Sequence, residues 1–324
     1  MAHRSRLLLL TLLLALLAPP APAAAAWPER PVRLIVTYPA GGNTDTLARL
    51  TAELLSEAFG QQFVVDNRGG AGGYIAMEAV ARAAPDGYTL LFASVANIAI
   101  APGVMRRHPP VDTVADFTPV SLVATNPLIM AVSRGLEITS IPQLIARTRA
   151  EAGSLLYGSG GIGSTQHLGM ELFLSRAGLT ATHVPFRGGP AAMAEVVSGR
   201  VPVLFSNPSD IVAFANSPEV RLIGVSGPAR LAELPDVPTI AETLPGFALE
   251  TWNGVFGPAA LPAEITARIE QALLRRRGDP AVAARFARTS TQYVAMEAAP
   301  FAALVRTEVP RWAELARQAK AQED

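Results

Sequence analysis

Val32-Arg33-Leu34-Ile35-Val36-Thr37-Tyr38-Pro39-Ala40-Gly41-Gly42-Asn43-Thr44 decides the architecture. Its first seven residues are a β-rich run that stops at Pro39, where a backbone donor is lost. Ala40 to Thr44 is a turn; Leu47, Leu50 and Leu54 then share one helical face, which Gly60 closes. A second strand, Phe63-Val64-Val65, ends at Asp66-Asn67. Gly69-Gly70-Ala71-Gly72-Gly73 turns into a helix bearing Ile75, Ala79 and Val80, and Asp86-Gly87 leads into a third strand, Tyr88 to Phe92. The order is βαβαβ. Its strands are continuously apolar rather than alternating, as a parallel sheet covered on both faces requires.

The pattern restarts after Pro127. Leu128 to Val132 is a strand, and Ser140 caps a helix with Pro142 in its first turn. Leu155-Leu156-Tyr157 feeds Gly158-Ser159-Gly160-Gly161-Ile162-Gly163, followed by a helix carrying Leu168, Leu172 and Phe173. Thr182 to Phe186, Val203 to Phe205 and Leu222 to Val225 complete a second α/β set. A Pro-rich connection from Leu234 to Pro245 precedes Thr251 to Gly257. Two helical patterns, around Ile265–Leu274 and Phe301–Ala316, remain; with too few strands left for a third unit, they are expected to return to the first lobe. The triple Arg275-Arg276-Arg277 reads as a solvated helix end, where cations suit the dipole.

The 324 residues are half apolar and 17% charged, too long for one small core and too apolar for disorder. Cysteine is absent, which removes disulfides, thiolate metal sites and cysteine nucleophiles. Residues 1–26 read as a cleaved secretory signal: a basic start at His3, Arg4 and Arg6, a Leu7–Leu17 run too short to span a bilayer, and an A-x-A pattern ending at Ala26. Removing Arg4 and Arg6 leaves 25 basic and 27 acidic residues, a balance that argues against nucleic acid as partner. The mature chain is expected to be exported to the periplasm.

Three glycine-rich turns leave the carboxyl ends of strands and enter helix N-termini. That edge is where open α/β sheets bind ligands, and its unpaired N–H groups attract anions. Gly158, Gly160 and Gly163 match G-x-G-x-x-G, but Thr182–Phe186 is followed by Arg187-Gly188-Gly189 with no acid for a ribose hydroxyl, so no dinucleotide cofactor is expected. Ser164 or Thr165 then caps the next helix. No G-x-S-x-G elbow occurs, and the mature histidines are His108, His167 and His183. His167 and Glu171 lie one turn apart; a surface hydrogen bond is the expected reading, and no metal site is assigned. Asp45 falls in the first turn of its helix, where a carboxylate suits the dipole.

Beyond these mechanics, ordered blocks carry a resemblance. Pro39-Ala40-Gly41-Gly42-Asn43-Thr44-Asp45 with Ala48-Arg49, Asn67 to Gly73, Pro85-Asp86-Gly87-Tyr88-Thr89-Leu90, Tyr157 to Ser164 with His167 and Glu171, His183 to Gly188, Leu234 to Thr239 and Trp252-Asn253-Gly254 together resemble the substrate-binding proteins of tripartite tricarboxylate transporters, or Bug-type receptors. The matches run from Pro31 to about Pro262. The resemblance implies an α/β, two-lobed periplasmic-binding-protein (type II, flytrap) fold with a doubly wound sheet in each lobe. Lobe 1 would comprise 27–123 and 250–324, and lobe 2 124–249, hinged near Val120–Pro127 and Pro245–Gly254.

It further implies a monomeric receptor that closes on a small mono-, di- or tricarboxylate and delivers it to two membrane subunits, without catalysis. Gly41, Gly42, Ala71, Gly72 and Gly73 would hold one carboxylate, faced by Ser159, Gly163, Ser164 and Thr165. Asp45, Ser94 and Asn207 join the candidate list. Departures from the family pattern are Gly69 for Pro, Arg187 for Lys, and Asn207 where Asp is common. The alternatives are an exported hydrolase, which needs a convergent nucleophile–base pair in the cleft, and a ligand sensor for signalling.

Overall fold

The computed structural model of the chain describes residues 27–105, 109–151 and 153–321. The signal expected at 1–26, and His108, lie outside the described residues. The chain begins β1 (Val32–Val36), α1 (Asn43–Phe59), β2 (Phe63–Asn67), α2 (Tyr74–Ala81) and β3 (Thr89–Ser94). A π-helical segment, Ala96–Ile100, runs into α3 (Ala101–Val104), and β4 (Phe117–Pro127) crosses to the second lobe. There follow β5 (Ile129–Ser133), α4 (Ile141–Ala150), β6 (Leu156–Ser159), α5 (Thr165–Ala177), β7 (Thr182–Pro185), α6 (Gly189–Val197), β8 (Val203–Ser206), α7 (Pro208–Ile211) and β9 (Val220–Val225). The return is β10 (Glu250–Pro258), α8 (Ala263–Leu274), α9 (Pro280–Ala287), β11 (Gln292–Met296) and α10 (Ala298–Gln318).

Two sheets result, ordered β11-β4-β10-β3-β1-β2 and β7-β6-β8-β5-β9. β2, β1 and β3 run parallel, as do β7, β6 and β8; the strands that cross between lobes join antiparallel. The parallel part is doubly wound, and β1 explains why. Its residues alternate between faces: Leu34 and Val36 pack with Leu47, Leu54 and Leu55 of α1, while Ile35 packs with Tyr74, Met77 and Val80 of α2. Burying both faces demands the continuous apolar run seen in the sequence. In the second sheet Leu204 meets Met193 and Val196 of α6, and its neighbours Val203 and Phe205 face the other way.

At the C-terminal end, α8 packs on α1 and β4, and α10 on β4 and α3. Two elements differ from expectation. β11 and α9 fall where no further strand was foreseen; β11 is short, irregular in register against β4 between Tyr293 and Met296, and carries Ala295 at φ 47°, so its alternation is broken. The arginine triple is also more engaged than a solvated end. Arg277 donates to the Val294 and Ala295 carbonyls, sealing the outer edge of β11, and Arg276 pairs with Glu57 and Asp279.

Between the lobes, Ser226 is fully buried and ties both crossings together. Its hydroxyl accepts the Leu128 N–H at 2.7 Å and donates to the Leu249 carbonyl. No helix among the described residues is long and apolar enough to cross a membrane.

Candidate functional site

A cavity of about 360 Å³ opens between the lobes at the carboxyl ends of β1, β3 and β6. From the first lobe it is lined by Thr37, Tyr38 and Pro39, by Gly70 to Gly73, and by one face of the segment Ala96–Met105; the second lobe contributes Gly160 to Ser164. A larger groove of about 810 Å³ lies behind the crossings, against Thr125, Glu250 and the edge strand β11. That groove collects no helix N-terminus from the glycine turns, so the smaller interlobe cavity is the candidate site.

The first-lobe wall hangs on Asn97. Its Oδ1 accepts from Thr37 Oγ1 at 2.7 Å and from Ser94 Oγ at 2.9 Å, and its Nδ2 donates to the Gly72 carbonyl at 2.9 Å. Gly73 must be glycine here: its φ is +97°, and a Cβ would lie 2.6 Å from Asn97 Nδ2. The π-helical segment that carries Asn97 is itself unusual, a widened turn often found at functional positions. Nearby, the Asp45 carboxylate accepts from the Gly41 N–H at 2.9 Å, from Arg49 Nε at 3.1 Å and from Asn67 Nδ2 at 3.0 Å. Burial alone would raise its pKa; the bonds from Arg49, Gly41 and Asn67 outweigh it and hold the carboxyl below its ordinary value.

The second-lobe wall is held differently. Ser164 caps α5, accepting the His167 N–H at 3.2 Å and donating to the Gly161 carbonyl at 2.8 Å. Gln166 Oε1 takes the Gly160 N–H at 2.7 Å, while Gln166 Nε2 donates to Ser206 Oγ and Asp210 Oδ2. His167 Nδ1 accepts the Gly163 N–H at 3.1 Å. Behind it, His183 stacks on His167 with centroids 3.8 Å apart and planes 7° apart, and Tyr157 stacks on His183 while donating to Glu171. Burial lowers His167 to about 3, helped by the neighbouring His183, and lowers His183 to about 4. The same burial raises Glu171 and Asp210. The two stacked imidazoles are therefore neutral at ordinary pH.

The candidates sort accordingly. Ala71, Gly72, Gly73, Gly163 and Ser164 meet at the cavity. Gly41 and Gly42 are exposed beside it, outside its lining. Asp45 points into the loop it braces. Ser94 sits behind Asn97, and Thr165 is buried in the first turn of α5. Asn207 accepts from Asn126 Nδ2 at 3.1 Å, beside the crossing strands. Ser159 is fully buried, its Oγ 2.7 Å from His183 Nε2 and taking the Gly161 N–H at 3.1 Å.

Two expectations are therefore corrected. The Gly160, Gly161 and Gly163 N–H groups are engaged by Gln166, Ser159 and His167, so second-lobe glycines do not present a row of free donors. Tyr38, Gly70, Ala71 and Gly72 in the first lobe, and Ile162 in the second, are cavity-lining residues whose N–H groups have no partner among the described residues. His167 and Glu171 make no surface hydrogen bond: His167 is buried and braces the loop, and Glu171 serves Tyr157. No cluster among the described residues is suited to a metal.

Sequence reasoning missed Thr37, Tyr38, Asn97 and the apolar face of Ala101, Val104 and Met105. The one polar residue in the run Val95-Ala96-Asn97-Ile98-Ala99-Ile100 was the available signal. Across the gap, a Cβ at Gly163 would lie 2.6 Å from Val104 Cγ1, so the two walls touch there. Gly69, another departure, lies against the loop itself: a Cβ would be 2.6 Å from Pro39 Cδ.

A family model described as a tripartite tricarboxylate transporter family receptor matches residues 47–320. A UPF0065 protein of Bordetella bronchiseptica is 37% identical over 87% of this chain and 83% of its own. Protein BugT of Bordetella pertussis is 32% identical over 92% of each chain. Among solved structures, R. palustris Rpa4515 with adipate superposes with a TM-score of 0.81 at 33% identity, covering 91% of this chain and 99% of that one.

Proposed function

The chain belongs to the tripartite tricarboxylate transporter receptor family, and from that premise we propose that it captures a small carboxylic acid in the interlobe cavity for uptake. The observation that carries the reading is the cavity itself: about 360 Å³, walled by glycine turns from both lobes at strand carboxyl ends. The Ala71 and Gly72 N–H groups receive the carboxylate, with Ile162 opposite, because unpaired amides at a helix entry bind anions. Gly41 and Gly42 at the rim, and Asp45, Ser94, Ser159, Thr165 and Asn207 behind the walls, act on the ligand through the loops they form or brace. Ala101, Val104 and Met105 offer the carbon chain an apolar surface.

Closure pivots on the crossings that Ser226 ties together, with lobes divided at 123/124 and 249/250. A ligand that touches both walls binds the closed arrangement better and so shifts the population toward it. The relative with adipate supports a carboxylic acid as cargo. Delivery to two membrane subunits, a periplasmic location and a monomeric state complete the reading. We assign no chemistry on the ligand: Ser159 and His183 form a nucleophile–base contact, but Ser159 is sealed from the cavity and already serves the Gly161 amide.

A thermal-shift screen of organic acids on the secreted chain tests this, since a ligand at 100 times its Kd adds about 2.7 kcal/mol. At least one mono-, di- or tricarboxylate is expected to raise Tm by several degrees, with no turnover. A panel in which amines or sugars stabilise and no acid does would defeat the assignment.

A further inference from the structure

The cavity offers hydrogen bonds for one acid group and no counter-charge for a second charged group. On the first wall the N–H groups of Tyr38, Gly70, Ala71 and Gly72 are free among the described residues. A carboxylate has about four lone-pair sites, so one acid group uses them all. The polar side chains of the lining are already engaged. Thr37 Oγ1 donates to Asn97 Oδ1, which also accepts from Ser94, and Asn97 Nδ2 donates to the Gly72 carbonyl. The Tyr38 hydroxyl lies 3.4 Å from Ser94 Oγ, and Ser164 Oγ accepts the His167 N–H while donating to the Gly161 carbonyl. No lysine, arginine, histidine, aspartate or glutamate is among the described residues that line the cavity.

What remains is apolar, and it begins beside the free amides. A Cβ on Gly72 would lie 3.6 Å from Ala101 Cβ, so the Ala101 methyl abuts that turn. Val104 follows and meets Gly163 of the opposite wall. Met105 stands one turn beyond Ala101, its N–H bonded to the Ala101 carbonyl at 3.2 Å. A helical turn rises about 5.4 Å, the length of a short carbon chain. Ile162 adds an exposed apolar side chain from the second wall. The volume of about 360 Å³ matches that of about twelve water molecules, room for an acid of modest length. An apolar tail laid along this ledge gains by leaving water. A second carboxylate, or an ammonium, would lose its hydration there without a charged partner.

Resting on the receptor reading above, we propose that the cargo is a monocarboxylic acid with an uncharged, apolar tail. Its carboxylate takes the amides at Gly70 to Gly72, and its tail runs along Ala101 and Val104 to end against Met105. Met105 then decides what the far end of the ligand can be, while the glycine turn fixes only the acid group.

The test is calorimetry on the secreted chain with matched four- and six-carbon sets: the monocarboxylate, the α,ω-dicarboxylate and the ω-amino acid. In the six-carbon set the monocarboxylate is expected to bind about tenfold or more tighter than the other two. It should also bind several-fold tighter than the four-carbon monocarboxylate, because it buries more methylene surface. Met105→Lys, close to methionine in length, puts a cation at the end of the ledge. It should bring the six-carbon dicarboxylate to within about twofold of the monocarboxylate. Met105→Leu, still apolar, should retain the preference, which separates the effect of charge from a folding defect. A dicarboxylate or amino acid that binds the wild type as tightly as the monocarboxylate would overturn the proposal. So would a preference that survives in Met105→Lys or vanishes in Met105→Leu. Acids binding without a preference for a single carboxylate sink this inference alone; binding of no acid at all sinks the receptor reading with it.

Discussion

The two walls of the cavity do the same job with opposite electrostatics. In the first lobe an ionised Asp45, tied to Arg49 and Asn67, holds the Gly41 turn, and the neutral Asn97 holds the Gly72 turn. In the second lobe the turn is held by buried neutral groups, with His167 on Gly163 and Gln166 on Gly160. The difference follows from depth. Asp45 lies beside a half-exposed Arg49 that water and counterions reach, so its charge is affordable; the His167–His183 stack is enclosed, and burial disfavours the charged form. One wall should tolerate acid that loosens the other.

The hardest test of the comparison is steric, at the point where the walls meet. Gly163→Val places a branched side chain against Val104 at φ +71°, a conformation unfavourable to valine. Ligand affinity is expected to fall about 100-fold or more, equivalent to about 2.7 kcal/mol, with Tm lowered by only a few degrees because the open form accommodates the side chain. Calorimetry beside a thermal melt checks this; near-normal binding would mean that the lobes do not need to touch.

An acid titration comes next. His167 is neutral in the folded chain, with its pKa near 3 against about 6.5 unfolded. Its contribution is whole above pH 6.5 and declines as pH falls toward 3, because the unfolded chain takes up the proton first. At pH 5 the loss is about 2 kcal/mol. Asp45, held below its ordinary value, contributes fully above about pH 4 and loses stability only at lower pH. Asp210 and Glu171, both raised, act in the opposite direction to the histidine. Wild type is therefore compared with His167→Asn, whose side-chain oxygen still accepts the Gly163 N–H without titrating. Urea melts at pH 7 and pH 5 should show a smaller drop for the variant, and equal drops would place the acid sensitivity elsewhere.

The smallest effect is expected at Ser159. Because it is sealed behind the loop, Ser159→Ala removes a brace for Gly161 rather than a ligand contact. A loss of affinity of about threefold is predicted, visible by titration with any acid that binds. A loss above about 30-fold would mean that the hydroxyl reaches the ligand after all.

Much of the fold was legible because it depends on short-range patterns. Continuous apolar strands, glycine turns and caps such as Ser140 and Ser164 repeat every 25 to 30 residues or so, as βαβ units must. β11 escaped because its irregular register hides the alternation that marks a strand. Within the site, the glycine turns were visible as sequence, but their hydrogen bonds were not. Whether the Gly163 N–H faces a ligand or His167 depends on a side chain four residues on and on a second histidine twenty residues away, stacked behind it.

The sequence alone determined two doubly wound units and the kind of turn at each strand end. Local backbone preference and hydrophobic periodicity suffice for those. The tertiary structure decided which amides stay free, that Asn97 anchors the first wall, and that Val104 meets Gly163. These depend on residues far apart in the chain arriving at one place, and a partner's distance in space leaves no trace in the spacing of letters.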